Sequence, residues 1–264
     1  ELARQIIETT DTHLFLTGRA GTGKTTFLRR LRTESPKRMV VLAPTGIAAI
    51  NAGGVTIHSF FQLSFAPYIP GTKVPTSYAM TKQKIALIKS IDLLVIDEIS
   101  MVRADLLDAV DYALRKYRRN SKPFGGVQLL LIGDLQQLAP VVKDEEWSML
   151  KQHYPTPYFF SSNALCNTNY VTVELEKVYR QSDGHFLALL NEVREGNVSQ
   201  QTLDALNQRY LPNFVPQKSD GYIQLVTHNW QAQQVNSHEM DKLPGQTYTY
   251  KAVIKGKFSE MSYP

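Results

Sequence analysis

Short apolar runs recur along this chain with longer amphipathic stretches between them. Residues 13–17 (His-Leu-Phe-Leu-Thr), 39–43, 93–96, 127–132 and 170–175 each read as a strand. Most are apolar almost throughout, as strands covered on both faces of a parallel sheet must be, and they lack the alternation of a strand with one wet face. The best helix lies between them, over residues 103–119. Leu107, Val110 and Leu114 share one of its faces, while Arg115, Lys116, Arg118 and Arg119 crowd its C-terminal end. That positive charge complements the helix dipole on a solvated face; contact with nucleic acid is its other possible use. Strands alternating with helices predict an α/β fold built on a doubly wound parallel sheet. Residues 63–78 break the rhythm. Pro67, Pro70, Pro75 and Gly71 forbid a helix there, so the segment is either a functional insertion or a plain mobile surface loop. Beyond residue 180 the pattern gives a strand over 222–227 with a polar end, a helix over 231–243 and a hairpin over 245–257.

Composition narrows the class only a little. A length of 264 residues allows one large domain or two smaller ones, and 43% hydrophobic residues support a proper core. No apolar run is long enough to cross a membrane, and the first residues lack a secretory pattern. The chain opens on Glu1 rather than Met, which suggests a trimmed or processed end. One cysteine, Cys166, excludes an internal disulfide and reads as a small buried hydrophobe. The net charge of +5 permits a polyanionic partner without demanding one.

Gly18-Arg19-Ala20-Gly21-Thr22-Gly23-Lys24-Thr25 fits the phosphate-binding pattern G-x-x-x-x-G-K-[ST], and it follows a strand and opens a helix, as that loop must. Glycines let the backbone N–H groups turn inward onto a polyphosphate, and the helix N-terminus adds its positive end. Gly21, Thr22, Gly23, Lys24, Thr25 and Thr26 therefore form the predicted nucleotide cradle, with Lys24 on the β- and γ-phosphates and the Thr25 hydroxyl on Mg²⁺. The run 93–96 ends in Asp97 and Glu98. Asp97 suits a Mg²⁺ shell, because a hard cation wants oxygen ligands, and Glu98 is placed to deprotonate an attacking water. In isolation the two would be an ordinary acidic strand end. Gln137, after the strand 127–132, is a candidate sensor of the γ-phosphate. Arg180, past the strand 170–175, is a candidate to stabilise charge on a transferring phosphoryl group, or else a surface salt-bridge partner.

With Ala43-Pro44-Thr45-Gly46-Ile47-Ala48-Ala49 and Gly54-Val55-Thr56-Ile57-His58-Ser59-Phe60-Phe61, these motifs resemble superfamily-one DNA helicases of the RecD-like branch. Residues 98–119 resemble more specifically the segment characteristic of the Pif-type (petite integration frequency) family. Gly133 to Val141 and Val178-Tyr179-Arg180-Gln181 are similar to that family's third and fourth motifs. Ala139 departs from it, since the family often has two prolines there. The resemblance implies a RecA-like first motor domain over residues 1–180, carrying a small wedge loop at about 63–78, and an incomplete second RecA-like domain over 181–264. It implies an ATP- and Mg²⁺-dependent motor, monomeric, moving 5′ to 3′ on single-stranded DNA and unwinding forked or quadruplex DNA. Its expected place is the bacterial cytoplasm at the nucleoid, or the nucleus or mitochondrion of a eukaryote.

The resemblance assigns Lys24, Thr25, Asp97 and Glu98 the roles already given, makes Gln137 the γ-phosphate sensor and Arg180 the arginine finger, and gives Gln5 the reading of adenine. For DNA, Thr45 and Gly46 offer phosphate donors after a strand end, and Thr56, His58 and Phe60 combine polar donors with an aromatic face for stacking. Of Phe60 and Phe61 one belongs to the core, and Phe60 is the one expected to be exposed. Thr227, His228 and Asn229 are the candidates at the opening of the second domain. No later stretch resembles the family's late motifs, so the expectation is a fragment that binds ATP–Mg²⁺ and single strands yet translocates poorly. A nucleotide kinase and an ATP-switched binding module without motor activity are the rival classes.

Overall fold

The structure, a computed structural model, describes residues 1–74, 76, 79–217, 220–246, 248–251 and 253. It divides into two compact units, residues 1–204 and 205–264. The expected boundary at 180 thus falls inside the first unit, because the helix Gly184–Glu195 packs with what precedes it.

The first unit starts with α1 (Leu2–Thr9), followed by β1 (His13–Gly18), α2 (Lys24–Glu34), β2 (Met39–Ala43), α3 (Gly46–Ala52), β3 (Val55–Thr56) and α4 (Ile57–Phe61). Next come α5 (Lys82–Ser90), β4 (Leu93–Ile96), α6 (Ala104–Arg118), β5 (Gln128–Ile132), α7 (Asp144–Leu150), α8 (Asn163–Cys166) and β6 (Tyr170–Leu175). Helices α9 (Gly184–Glu195) and α10 (Gln200–Asn207) follow. Among the described residues the sheet has six strands, ordered β3-β2-β4-β5-β1-β6, and every pairing is parallel.

The unbroken apolar runs are explained by two cores, one on each face. Successive side chains of a strand point to opposite faces. Leu14 and Leu16, Leu93 and Val95, and Leu130 and Ile132 pack with Ile7 of α1 and Leu28 and Leu31 of α2. Their neighbours Phe15, Leu94, Ile96, Leu129 and Leu131 pack on the other side with Leu107, Val110 and Leu114 of α6. β6 is the exception to the expectation of double burial. It lies at the sheet edge, and Tyr170 and Val171 are exposed.

α6 also carries three buried carboxylates spaced three residues apart, and each holds a different loop. Asp105 accepts from the backbone N–H of Tyr68, at 3.0 Å, and from the Arg103 guanidinium. Asp111 accepts from the backbone N–H of Phe124 and from Arg115. Asp108 accepts from Tyr154 Oη at 2.9 Å, Ser162 Oγ at 2.5 Å, both the backbone N–H and Nδ2 of Asn163, and the backbone N–H of Ala164 at 3.0 Å. Burial pushes the Asp111 carboxyl and the Tyr154 phenol up in pKa. The insertion 63–78 forms no helix at its described positions; Leu63 bridges to Thr76, and Tyr68 is buried against α6.

Two expectations about smaller features fail. Cys166 is exposed, not buried, because it closes the four-residue α8 at the surface with its thiol toward the Phe160 carbonyl. Residues 222–227 in the second unit form no strand. Tyr222, Ile223 and Leu225 are exposed, and no strand among the described residues pairs with them. That unit's helix, α11 (Asn229–Asp241), starts two residues earlier than expected and buries none of its residues. Of the predicted hairpin over 245–257, residues 247, 252 and 254–257 lie outside the described residues, and the described remainder forms no strand. No helix among the described residues is long and apolar enough to cross a membrane.

Replacing Asp108 with alanine would strand several buried donors at once, a cost of about 2–4 kcal/mol in unfolding free energy. Urea denaturation checks this; a midpoint equal to wild type would contradict the anchoring role.

Candidate nucleotide and DNA sites

The phosphate loop joins β1 to α2, and its shape follows from two glycines. Gly18 has φ +141° and Gly21 φ +80°, both in territory that side chains avoid. A Cβ on Gly18 would collide with the Leu175 carbonyl, and one on Gly21 would come 2.6 Å from the Arg180 Cβ. The backbone N–H of Tyr179 donates to the Gly21 carbonyl at 2.9 Å, fastening the segment after β6 to the loop. Thr22 is buried, and its hydroxyl donates to the Arg19 carbonyl at 2.8 Å. Lys24 folds back over the loop, donating to the carbonyls of Gly18 at 2.5 Å and Arg19 at 3.1 Å. Burial lowers its pKa, opposed by the charges of Asp134, Glu98 and Asp97.

β4 delivers the carboxylates. Asp97 accepts from the Glu98 backbone N–H at 3.1 Å, and burial together with the neighbouring Glu98 pushes its pKa up to about 6. Glu98 itself adopts φ +52°, a strained backbone for a non-glycine residue, which turns its side chain toward the phosphate loop's cavity. Two crowded carboxyls, with an exposed Thr25 hydroxyl that has no protein partner among the described residues, fit a hard divalent cation. No cluster of three or more His, Cys, Asp or Glu exists among the described residues, so such a cation would complete its shell from phosphate and water oxygens.

A cavity of about 890 Å³ unites these parts. Residues 20 to 26 line it together with Glu98, Gln137, Tyr179 and Arg180. Four catalytic candidates separated by up to 156 residues (Lys24 to Arg180) therefore face one space. Gln5 is exposed on α1 and does not line it, whereas Arg4 of the same helix and Glu1 just before it do. Sequence reasoning missed Asp134 and Arg194. The Asp134 side chain is 2% exposed and is gripped by both ends of the Arg194 guanidinium at 2.7 Å. Burial raises its pKa, but the bonds from Arg194, Gln137 and Gln136 outweigh this and leave it lowered. Sixty residues separate the pair, and no local spacing marks it.

Of the DNA candidates in the first unit, Thr45 and His58 line a smaller cavity of about 230 Å³ together with Pro44, Phe65 and Arg103 among others, whereas Gly46, Thr56 and Phe60 do not line it. Thr45 and Thr56 use their hydroxyl oxygens to cap α3 and α4, each accepting a backbone N–H at 3.2 Å. Their hydroxyl hydrogens stay free to donate. Open space surrounds Gly46. The expectation for Phe60 is wrong: it is 3% exposed, edge-on to Phe61 and covered by the Lys84 ammonium 4.2 Å from its ring centre. Both phenylalanines of α4 belong to the core with Ile57, and the exposed position of that short helix falls to Ser59. Phe65, 82% exposed, carries the aromatic surface instead, its ring 4.8 Å from that of His58. Burial, and then the Arg103 charge, lower the His58 pKa, so the ring is neutral at neutral pH. In the second unit, Thr227 Oγ1 lies 2.8 Å from His228 Nδ1, and Asn229 opens α11.

Residues 1–204 match the PIF1-like helicase family. The chain belongs to that family. It is 34% identical over 254 residues to the ATP-dependent DNA helicase PIF1 of Saccharomyces cerevisiae (strain YJM789), an alignment that covers 94% of this chain and 28% of the yeast protein. The solved Pif1 helicase from Bacteroides in complex with ADP-AlF3 and ssDNA superposes with a TM-score of 0.90 at 39% identity, over 100% of this chain and 62% of that one. A Pif1 structure describing DNA unwinding at forked dsDNA by two coordinating helicases gives 0.89 at 40% identity, with the same coverage. The chain thus spans little more than a quarter of the yeast relative's length.

Gly21→Ala would force both the left-handed backbone and the Arg180 contact, a strain of ~1–3 kcal/mol that should weaken nucleotide binding ~5- to 150-fold. Titration with a fluorescent ADP analogue checks it; unchanged affinity would mean that the loop and the Arg180 segment do not share one site.

Proposed function

We propose that this chain supplies the ATP-hydrolysing and strand-gripping part of a DNA helicase that moves 5′ to 3′ on single-stranded DNA and opens forks and quadruplexes. The observation that carries the reading is the common cavity. Lys24, Glu98, Gln137 and Arg180 line one space whose floor is a phosphate loop, and family membership supports ATP as its substrate.

In this reading the loop's N–H groups and Lys24 hold the β- and γ-phosphates. Glu98 takes the proton of the water that attacks the γ-phosphorus, and Gln137 orients that water and registers the loss of phosphate. Arg180 offsets the charge on the transferring group, a contribution of ~10³–10⁵ in rate where such arginines have been measured. Mg²⁺, held by Thr25 and Asp97, would neutralise phosphate charge. Gly133 and Gln137 follow β5 and Thr45 follows β2, with β4 between those strands. Nucleotide and DNA would therefore lie along one edge of one sheet.

On the DNA side, Thr45, Gly46, Thr56 and His58 would anchor phosphates, and Phe65 would stack a base for ~1–3 kcal/mol. Thr227, His228 and Asn229 would add contacts from the second unit. The Pro-rich insertion 63–78, held to α6 through Asp105, would be the wedge at a fork. The place of work is the cell's DNA, in a nucleoid, nucleus or mitochondrion.

Glu98→Gln should keep nucleotide affinity and lower turnover ~10²–10⁴-fold, the usual worth of a general base. Equal turnover by the variant, measured as phosphate release, would contradict the assignment. Affinity for a thymidine oligonucleotide should fall with salt, with a log–log slope of ~−0.7 for each phosphate contacted. A flat salt dependence would remove the phosphate anchors from the account.

A further inference from the structure

The last turn of α9 reaches the nucleotide site from outside it. Arg194 donates Nη1 to Oδ2 of Asp134 and Nη2 to Oδ1, each at 2.7 Å. The same Oδ2 accepts from Nε2 of Gln137 at 2.8 Å, and Oδ1 accepts from the backbone N–H of Gln136 at 3.2 Å. Gln136 Nε2 returns to the Arg194 carbonyl at 3.4 Å. The next residue, Glu195, pairs with Arg19 of the phosphate loop at 3.3 Å. One helical turn thus grips two loops around the cavity. Asp134 does not line that cavity, so its carboxylate serves its neighbours rather than a ligand.

Stability alone is a poor reason for such a pair. Burying two charges costs about what their attraction returns, and an apolar pair of similar volume would do as well. A planar guanidinium on a carboxylate adds direction: two parallel bonds fix the carboxylate's plane and leave a lone pair of Oδ2 aimed at one place. In this structure the Gln137 amide occupies that place.

We propose that Arg194 is a positioning residue for Gln137: by fixing Asp134 it sets where the Gln137 amide stands on the cavity wall, so a shift of α9 moves the amide relative to the terminal phosphate. The inference rests on the reading of Gln137 as the residue facing that phosphate. The run from 180 to 194 then touches the site at both ends, Arg180 packing on Gly21 and Arg194 on Asp134. Movement of α9 and the state of the nucleotide would be two readings of one arrangement, a coupling reciprocal in binding energy.

The test is a double-mutant cycle in kcat for ATP hydrolysis, with nucleotide affinity and melting temperature measured on each variant. Arg194→Ala should lower kcat about 10-fold while nucleotide affinity stays within ~2-fold. Gln137→Ala should lower kcat at least as far, and the double variant no further than Gln137→Ala alone, because both remove one function. Arg194→Lys keeps the charge without the fork and should recover only part of the loss. Multiplying effects in the cycle, or wild-type kcat in Arg194→Ala, would overturn the proposal. A loss that follows melting temperature and not the cycle would overturn it too. If Gln137→Ala alone keeps wild-type kcat, the sensor reading beneath it fails, and this proposal with it. Should Arg194→Ala not fold, the cycle is run with Arg194→Lys, with the same coupling expected.

Discussion

Gly18 and Gly21 sit where the phosphate loop passes against the segment that follows β6, and no side chain fits at either position. That approach is set by the sheet. β1 and β6 run parallel in continuous register from His13 and Tyr170 to Gly18 and Leu175, so both chains leave the sheet side by side. Parallel pairing also puts the ends of β4 and β5 at the same edge, with Ile96 opposite Leu131 and Leu16 opposite Ile132. Asp97, Glu98, Gln137 and Arg180 need no long-range design beyond this. Each follows a strand whose register places its end beside the loop. Crevices at the carboxyl ends of parallel strands bind ligands throughout α/β folds for that reason.

A second level of organisation comes from α6. Its apolar face closes one core, while Asp105, Asp108 and Asp111 satisfy backbone and side-chain donors of three separate loops. These three side chains thus hold the insertion, the 154–164 stretch and the turn before β5 in place. Tyr68 of the insertion and Phe124 before β5 are thus both tied to one helix. Deeply buried carboxylates are costly, and here each is matched with good donors.

Much of this was legible in the chain itself, for identifiable reasons. Strands 39–43, 93–96 and 170–175 were exact because apolar runs stop abruptly at the sheet's edge, and the phosphate loop was visible because backbone geometry demands glycines at fixed spacing. The order β3-β2-β4-β5-β1-β6 was not legible, since crossovers leave no local signal, and the two-residue β3 was too short for any periodicity. Residues 222–227 have the composition of a strand but find no neighbour among the described residues, and a strand without a partner cannot satisfy its backbone. Phe60 shows the limit of a motif. Resemblance located the loop, but which aromatic faces outward depended on α4 being one short helix. Arg194 was invisible because its partner is distant in sequence.

The central claim, that nucleotide and single-stranded DNA are handled along one sheet edge by coupled loops, is tested most directly by steady-state ATP hydrolysis with and without a poly-thymidine oligonucleotide. The account predicts turnover that rises at least ~10-fold with the oligonucleotide, a coupling of ~1.4 kcal/mol or more. A rate indifferent to DNA, or one raised only by a small phosphate acceptor, would contradict it.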